Sequence, residues 1–352
     1  MKRMRKIPFR KCGRNKIFRI VILLMCGCCS FQIAYLQYYY AYMDVYMNLD
    51  FLIPNLERIT DNIQETGSTK VKPLNVFMKE DAYRIDPSET ICDNLNCDNL
   101  KLLFIVKSYV LNFGQRDAIR KTWGGIEGLR TKVVFIIGYI DSANPFIEIE
   151  SKQYKDIVQL NIVDTYENLV YKTIYSLLWL SDVNIPTAFV HFVDDDRLVN
   201  TYNVYNVATN SITSRDLVII GYKLDFSKPQ RAINSKVYLS PNEYPFPYFP
   251  SYIIGGTILT NMKTVKMLAL GVTYAKIIQV EDSYIGIVAT AFNIEMKHHP
   301  GFLPYKKRTT HHLPEILSSP GYELTYALLR DWKAIERSHT KLLPAPLLRL
   351  RQ

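Results

Sequence analysis

Three consecutive carboxylates, Asp194, Asp195 and Asp196, close an apolar run that reads TAFVHFVDDDRLVN from Thr187 to Asn200. A strand that delivers clustered acids to a sheet edge concentrates negative charge, and a hard divalent cation, or a ligand carried by one, is its natural relief. Side chains alternate faces along an extended chain, so Asp194 and Asp196 are expected on one side, sharing a magnesium or manganese ion. Asp195 then points to the other side or into the turn. Taken alone, the triplet reads more simply as an acidic turn after a strand, because Asp is a favoured loop residue.

The surrounding pattern favours the first reading. Leu102 to Val106 and Val133 to Ile137 are short apolar runs rich in β-branched and aromatic residues, as buried parallel strands are. Ile157 to Leu160 adds another. Asp164 and Glu167 then have capping-box spacing ahead of a helix whose Val170, Ile174, Leu177 and Leu178 fall on one face. Strand, helix and strand in this order predict a doubly wound α/β sheet, whose ligands bind beyond the carboxyl ends of the strands. The aspartates sit at such an end.

The 352 residues, 48% hydrophobic and 12% aromatic, suffice for one large or two ordinary domains and exclude a disordered chain. The net charge of +10 suggests nucleic acid, but nine basic residues and no acid fall within positions 1 to 19, so the remainder is nearly neutral and no nucleic-acid partner is expected. Directly behind this head, Ile17 to Leu36 carries a single early Arg, a length that spans a bilayer as a helix with its basic flank in the cytosol. A cleaved signal peptide is the competing reading. The apolar character continues through Phe31, Ile33 and Leu36 with no small-x-small site, which favours an uncleaved anchor.

The expected organisation is a cytosolic tail (1–16), a signal-anchor (17–36), a luminal stem (37–99), a catalytic domain (100–310) and a helical C-terminal extension (311–352). Tyr35, Tyr38, Tyr39, Tyr40, Tyr42 and Tyr46 suit a membrane interface. Only Cys92 and Cys97 fall beyond the anchor, and in a secretory lumen the pair reads as a local disulfide, with two free thiols the alternative. There is no Asn-x-Ser/Thr sequon. Leu324, Leu328, Leu329, Trp332 and Ile335 predict an amphipathic helix over about 323–338 that packs back on the domain.

Six blocks then follow in order: NFGQRDAIRKTWG (Asn112 to Gly124), VVFIIG (Val133 to Gly138), DIVQLNIVDTYENLVYKT (Asp156 to Thr173), DDDRLVN, IIGGTILT (Ile253 to Thr260) and VEDSYIG (Val280 to Gly286). Their order and spacing resemble the β1,3-galactosyltransferase family of Golgi glycosyltransferases, which also includes N-acetylglucosaminyl- and N-acetylgalactosaminyltransferases. The resemblance implies a GT-A (Rossmann-like) domain, a UDP-sugar donor, Mn(2+), inversion at the anomeric carbon and a single-pass type II Golgi membrane topology. It implies a glycan acceptor on a glycoprotein or glycolipid, joined in β1,3 linkage, and leaves open a homodimer or a transferase complex. A catalytically silent relative, acting as a luminal chaperone or glycan-binding partner of another transferase, is the alternative.

On these blocks Asp196, with Asp194, is expected to hold the metal, and Asp195 to accept from ribose hydroxyls. Arg116 and Arg120 are expected to donate to the nucleotide or its phosphates. The resemblance makes Asp282 the base that takes the acceptor's proton, with Glu281 supporting it or touching the acceptor. Gly255 and Gly256 are expected to let the backbone approach the donor sugar. Trp123 is expected in the core, and Asn168 and Lys172 as structural polar contacts. One of His298, His299, His311 or His312 is a candidate to complete the metal site, with exposed loop histidines the simpler reading. Phe192 before the aspartates, Arg197 after them, Thr257 in the glycine block and Ser283 after the acidic pair depart from the family pattern. They bear on donor and acceptor specificity, and Phe192 and Arg197 on the shape of the metal edge.

Overall fold

The computed structural model describes residues 30, 32, 34, 48–78, 81–89, 100–183, 185–307 and 311–340. The basic tail, most of the expected anchor and the Cys92/Cys97 pair lie outside them. Among the described residues no helix is long and apolar enough to cross a membrane.

From residue 49 the chain forms one unit. It opens with α1 (Leu49–Leu52), α2 (Leu56–Thr66) and β1 (Tyr83–Ile85). The alternating part follows as β2 (Leu102–Lys107), α3 (Phe113–Arg120), β3 (Thr131–Tyr139), α4 (Asn144–Tyr154), β4 (Ile157–Val163), α5 (Leu169–Val183) and β5 (Phe189–Asp194). Next come β6 (Leu198–Val199), α6 (Thr201–Ser211), β7 (Val218–Gly221), β8 (Lys223–Leu224), β9 (Tyr252–Ile253) and β10 (Thr257–Asn261). The chain finishes with α7 (Met262–Tyr274), α8 (Glu281–Ala291), β11 (Glu295–His298), β12 (Ser318–Ser319) and α9 (Thr325–Thr340).

The large sheet has the order β1-β4-β3-β2-β5-β10-β7-β11. The chain winds outward from β2 through β3 to β4, all parallel, then returns to the other side of β2 to lay down β5, also parallel. That reversal is a topological switch, and it opens a crevice beyond the carboxyl ends of β2 and β5, the place where open α/β sheets bind ligands. Every residue of β2 is buried, as expected for a central strand covered on both faces. β10 runs antiparallel to both β5 and β7, so the loop that enters it reaches the same crevice from above.

Two expected boundaries move. Residues 49–85 are not a detached stem: Leu52, Ile53 and Ile59 are fully buried, the Lys276 amide donates to Leu52 O at 2.7 Å, and β1 pairs with β4 as an edge strand. Asn75 ties the segment down further, its side chain donating to the carbonyls of Val272 (3.0 Å) and Ala275 (2.7 Å). The C-terminal helix α9 is likewise part of the domain, with Leu328, Trp332 and Ile335 in the main apolar cluster. Leu324, at 64% exposed, lies before the helix and off this face, and Leu329 is partly exposed as well. Trp123 is in the core, edge-on to Phe104 at 5.4 Å between centroids.

Within β5, His191 is fully buried between Phe104 and Phe302, and its Nε2 shares a 2.7 Å hydrogen bond with the Thr257 hydroxyl. Burial, aided by the Arg197 charge, pushes its pKa down to about 3 from the ordinary 6.5. The folded protein therefore holds this imidazole neutral where the unfolded chain binds a proton, and stability present above pH 6.5 is lost as pH falls toward the folded value. Between pH 6 and 4 the unfolding free energy of the natural chain is expected to fall more steeply than that of His191→Gln, by up to about 1.4 kcal/mol per pH unit. Chemical denaturation across that range checks the difference in slope.

Candidate active site

The acidic triplet arrives at the crevice with the alternation its strand imposes. Asp194 and Asp196 are half-buried, and Asp195 between them is buried. Asp195 Oδ2 accepts from the Ser108 hydroxyl (2.7 Å), the Asn112 side chain (3.0 Å) and the Tyr109 amide (3.2 Å). Burial raises its pKa against those bonds. One of its oxygens thus clamps the loop after β2.

Asp194 stands in register with Lys107, the last residue of the neighbouring strand. The Lys107 ammonium is buried, lies 3.2 Å from Asp194 Oδ1, donates to Gly255 O at 3.3 Å and pairs with Glu281 Oε1. Burial opposes its charge, but Asp194 and Glu281 hold its pKa above the ordinary lysine value. Lys107 was not singled out in the sequence, where it looks like the polar end of an apolar strand. A lone lysine at the same strand end as a buried acid is the signal, and register alone reveals it.

Glu281 and Asp282 open α8, where the helix dipole favours acids. They part ways at once. Glu281 is buried against Lys107 and the Thr173 hydroxyl, and burial drives its pKa up to about 7 against the pull of Lys107. It supports the cluster from below and does not face the crevice. Asp282 is half-buried, and its pKa is raised by burial while the Gly255 amide and Lys107 draw it back.

The glycines make this crowding possible. A Cβ on Gly255 would lie 2.4 Å from Asp282 Oδ1, and one on Gly256 would lie 2.9 Å from Asp194 Oδ2 and 2.6 Å from Arg197 Nε. The amide of Asp194 donates to Gly256 O at 3.1 Å. What approaches these glycines is the carboxylate cluster itself.

Arg116 and Arg120 are not placed for phosphates. Arg116 is 0% exposed, its guanidinium forked onto Glu150 and donating to Ser108 Oγ (3.2 Å) and the carbonyls of Tyr109 (2.9 Å) and Val110 (3.1 Å). Arg120 forks onto Asp156 at 2.7 Å and reaches Glu150. Their donors are consumed, and their effect on the site passes through the loop after β2. Asp164 does not cap α5 either. Its Oδ2 accepts from the amides of Val110 (2.8 Å) and Gly138 (3.1 Å), and its Oδ1 pairs with buried Lys172 at 2.6 Å. Asn168 donates to Val163 O at 2.9 Å, a structural contact.

The remaining departures also find their places. Phe192 is buried within the sheet, in register with Ile105 and Ile258, and does not reach the metal edge. Ser283 is fully buried on α8. Arg197, 4% exposed, donates through Nη1 to Leu303 O (3.3 Å) and Ser318 Oγ (3.4 Å).

A cleft of about 340 Å³ opens over Lys107, Ser108, Asp194, Asp195 and Asp196, with Tyr109 and Tyr166 among its walls. Asp196 accepts no side-chain hydrogen bond among the described residues, and burial, with Asp194 next, pushes its pKa up to about 6. Asp194 Oδ1 is buried with no hydrogen bond of good geometry, only the nearby ammonium. These hard oxygens fit a manganese or magnesium ion that takes one or two carboxylates and completes its shell with phosphate oxygens and water. Among the described residues no group of three or more His, Cys, Asp or Glu is arranged to hold a metal. His299 instead accepts the Gly301 amide at 3.1 Å, and His311 is exposed.

The family model described as Galactosyltransferase matches residues 114–300, a segment that contains the three cleft aspartates and the Glu281–Asp282 pair. The chain belongs to that family. Similar Galactosyltransferase-like proteins include beta-1,3-galactosyltransferase brn of Drosophila melanogaster, 33% identical over 204 residues, which are 56% of this chain and 62% of that protein. Beta-1,3-galactosyltransferase bre-5 of Caenorhabditis elegans is 29% identical over 216 residues, covering 59% of this chain and 66% of the relative. UDP-GalNAc:beta-1,3-N-acetylgalactosaminyltransferase 1 of Homo sapiens is 28% identical over 237 residues, 64% of this chain and 71% of that one. The chain thus spans just under two thirds of the length of the first two relatives. Among solved structures, mouse Xyloside xylosyltransferase 1 in its apo form aligns with a TM-score of 0.31 at 11% identity over 57% of this chain and 84% of that chain, a likeness too slight to carry an argument.

The role of Arg116 is testable apart from any substrate. Arg116→Met leaves Glu150 with Arg120 alone and removes the donors that hold the Tyr109 and Val110 carbonyls. Breaking a buried pair by removing one partner is expected to lower the unfolding free energy by about 3–5 kcal/mol, read from urea denaturation.

Proposed function

We propose that this member of the Galactosyltransferase family is an inverting glycosyltransferase of GT-A type, which moves a hexose or N-acetylhexosamine from a UDP-sugar to a glycan hydroxyl in β1,3 linkage. One observation carries the reading: Asp194 and Asp196 line the cleft at the switch point, at the end of a sheet whose connectivity creates a ligand crevice there, and Asp282 stands close by against Gly255. The names of the relatives, all β1,3-transferases of hexoses or N-acetylhexosamines, support the linkage and the donor class. In this reading the enzyme acts at the Golgi membrane, single-pass and type II, on protein- or lipid-linked glycans.

The residues divide the work by position. Asp196, with Asp194 beside it, would hold manganese, whose charge would stabilise the UDP leaving group. The half-exposed rings of Tyr109 and Tyr166 offer the nucleotide base apolar walls. Asp282 takes the proton of the acceptor hydroxyl as that oxygen attacks the anomeric carbon from the face opposite UDP. Its raised pKa makes it a better proton acceptor than a solvated aspartate, and the Gly255 amide and Lys107 keep it ionised. Lys107, paired with Glu281, fixes Asp194 at the cleft floor, and its charge acts on Asp282 as well.

The test is UDP release by the purified full chain against a panel of UDP-sugars and galactoside acceptors, with manganese or with EDTA. Acceptor-dependent turnover that vanishes in EDTA is expected. Asp282→Asn is expected to lower it by about 10²- to 10⁴-fold, the usual worth of a general base, with the nucleotide still bound. Asp196→Ala is expected to abolish turnover and weaken binding of UDP with manganese. Folded protein that turns over no donor and binds no UDP would overturn the proposal in favour of a silent partner of another transferase.

A further inference from the structure

Arg197 is a cation beside the cleft aspartate Asp194 that its surroundings leave half used. It directly follows the acidic triplet, a position where the family resemblance anticipates an apolar side chain. Its side chain is buried, yet among the described residues it forms no ion pair within 4 Å and no hydrogen bond beyond the two long ones from Nη1. The Nε and Nη2 edge is free. That edge faces the gap above Gly256: a Cβ there would stand 2.6 Å from Nε, 2.8 Å from Nη2 and 2.9 Å from Asp194 Oδ2.

Asp194 does not satisfy this edge, because its Oδ1 already faces the Lys107 ammonium and its Oδ2 lies across the gap, outside ion-pair distance from Arg197. A buried guanidinium with no ion pair is costly, and the planar Nε/Nη2 fork matches two oxygens of a phosphate. The cleft beside it is the one assigned above to the donor nucleotide. From this geometry we infer that Arg197 is a resident cation for the diphosphate of a nucleoside diphosphate, one that binds beside the metal position and lowers the metal dependence of nucleotide binding. The inference rests on the transferase reading and adds to it a residue and a property that the acidic triplet alone does not supply.

Arg197 is therefore a second source of positive charge, fixed where manganese is exchangeable. Binding and not turnover is the decisive readout. The purified full chain is titrated calorimetrically with UDP, UMP and uridine, in manganese and in EDTA. The natural chain is expected to keep UDP affinity in EDTA within about tenfold of its value in manganese, and in EDTA to prefer UDP to uridine by about tenfold or more, the worth of a charge-assisted contact. Arg197→Met is expected to weaken UDP by about ten- to a hundredfold in EDTA but by only a few-fold in manganese, with Arg197→Lys recovering part of the loss.

Equal losses in both media would assign Arg197 to holding the cleft's shape and overturn the inference. So would equal affinity of the natural chain for UDP and uridine in EDTA, a comparison that needs no variant to fold. UDP binding in manganese with none in EDTA would overturn it while leaving the transferase reading intact. No UDP binding by the natural chain in either medium would remove both.

Discussion

Carboxylates can be gathered at the end of a buried strand only if cations are buried with them, and the pairing of Lys107 with Asp194 and Glu281 meets that condition here. The ammonium sits where three chain segments meet: the end of β2, the end of β5 and the start of α8. The acids would repel one another without it: Asp194 and Asp282 raise the pKa of Glu281, and Asp194 raises that of Asp282. At an effective dielectric constant of about 20, charges 4 Å apart interact by roughly 4 kcal/mol, enough to decide whether the cluster closes or splays. The same logic repeats one layer away, where Lys172 answers Asp164 and Arg116 answers Glu150. The loop after β2 is thus held by charged groups that have no further duty, and Asp195 spends its buried oxygen on that loop.

Topology decides why these charges meet at all. A sheet that only wound outward from β2 would leave the carboxyl end of β2 flanked by helices alone. The return to β5 opens the crevice, and the reversed direction of β10 brings the Ile254–Gly256 loop over it, so that Asp194 N meets Gly256 O and Lys107 meets Gly255 O. Gly255 and Gly256 are required at this crossing by close approach and not by backbone conformation, for neither has a positive φ.

Much of this was legible beforehand, for physical reasons. The continuous apolar runs at β2, β3 and β5 are buried strands as expected, whereas α5 is buried beyond its anticipated face, with Lys172, Thr173, Ser176 and Trp179 also inside and Leu178 only partly so. The split of the triplet into Asp194 and Asp196 against Asp195 follows from the pleat alone. What stayed hidden depended on distant pairing. Arg116 and Arg120 have the spacing of an anion-binding helix face, but Glu150 and Asp156, more than thirty residues on, claim their donors. Asp164 has the spacing of a cap, yet Lys172 and two backbone amides on other elements claim it. Residues 49–85 read as a polar stem because what ties them down lies far along the chain, the Leu52 carbonyl on Lys276 and the Asn75 side chain on Val272 and Ala275.

The separation between Lys107 and Glu281 along the chain has a consequence in time. The two lie 174 residues apart, and ribosomes add roughly 5–20 residues each second. For about ten to thirty-five seconds of synthesis β2 exists while the acid that neutralises its terminal charge has not been made. The parallel half can collapse in that interval, but its carboxyl edge must stay wet and open, waiting for α8. A nascent chain of this protein is thus exposed through that interval at the very edge that later becomes the cleft, and a quality-control factor that watches for incomplete folding would find a signal there.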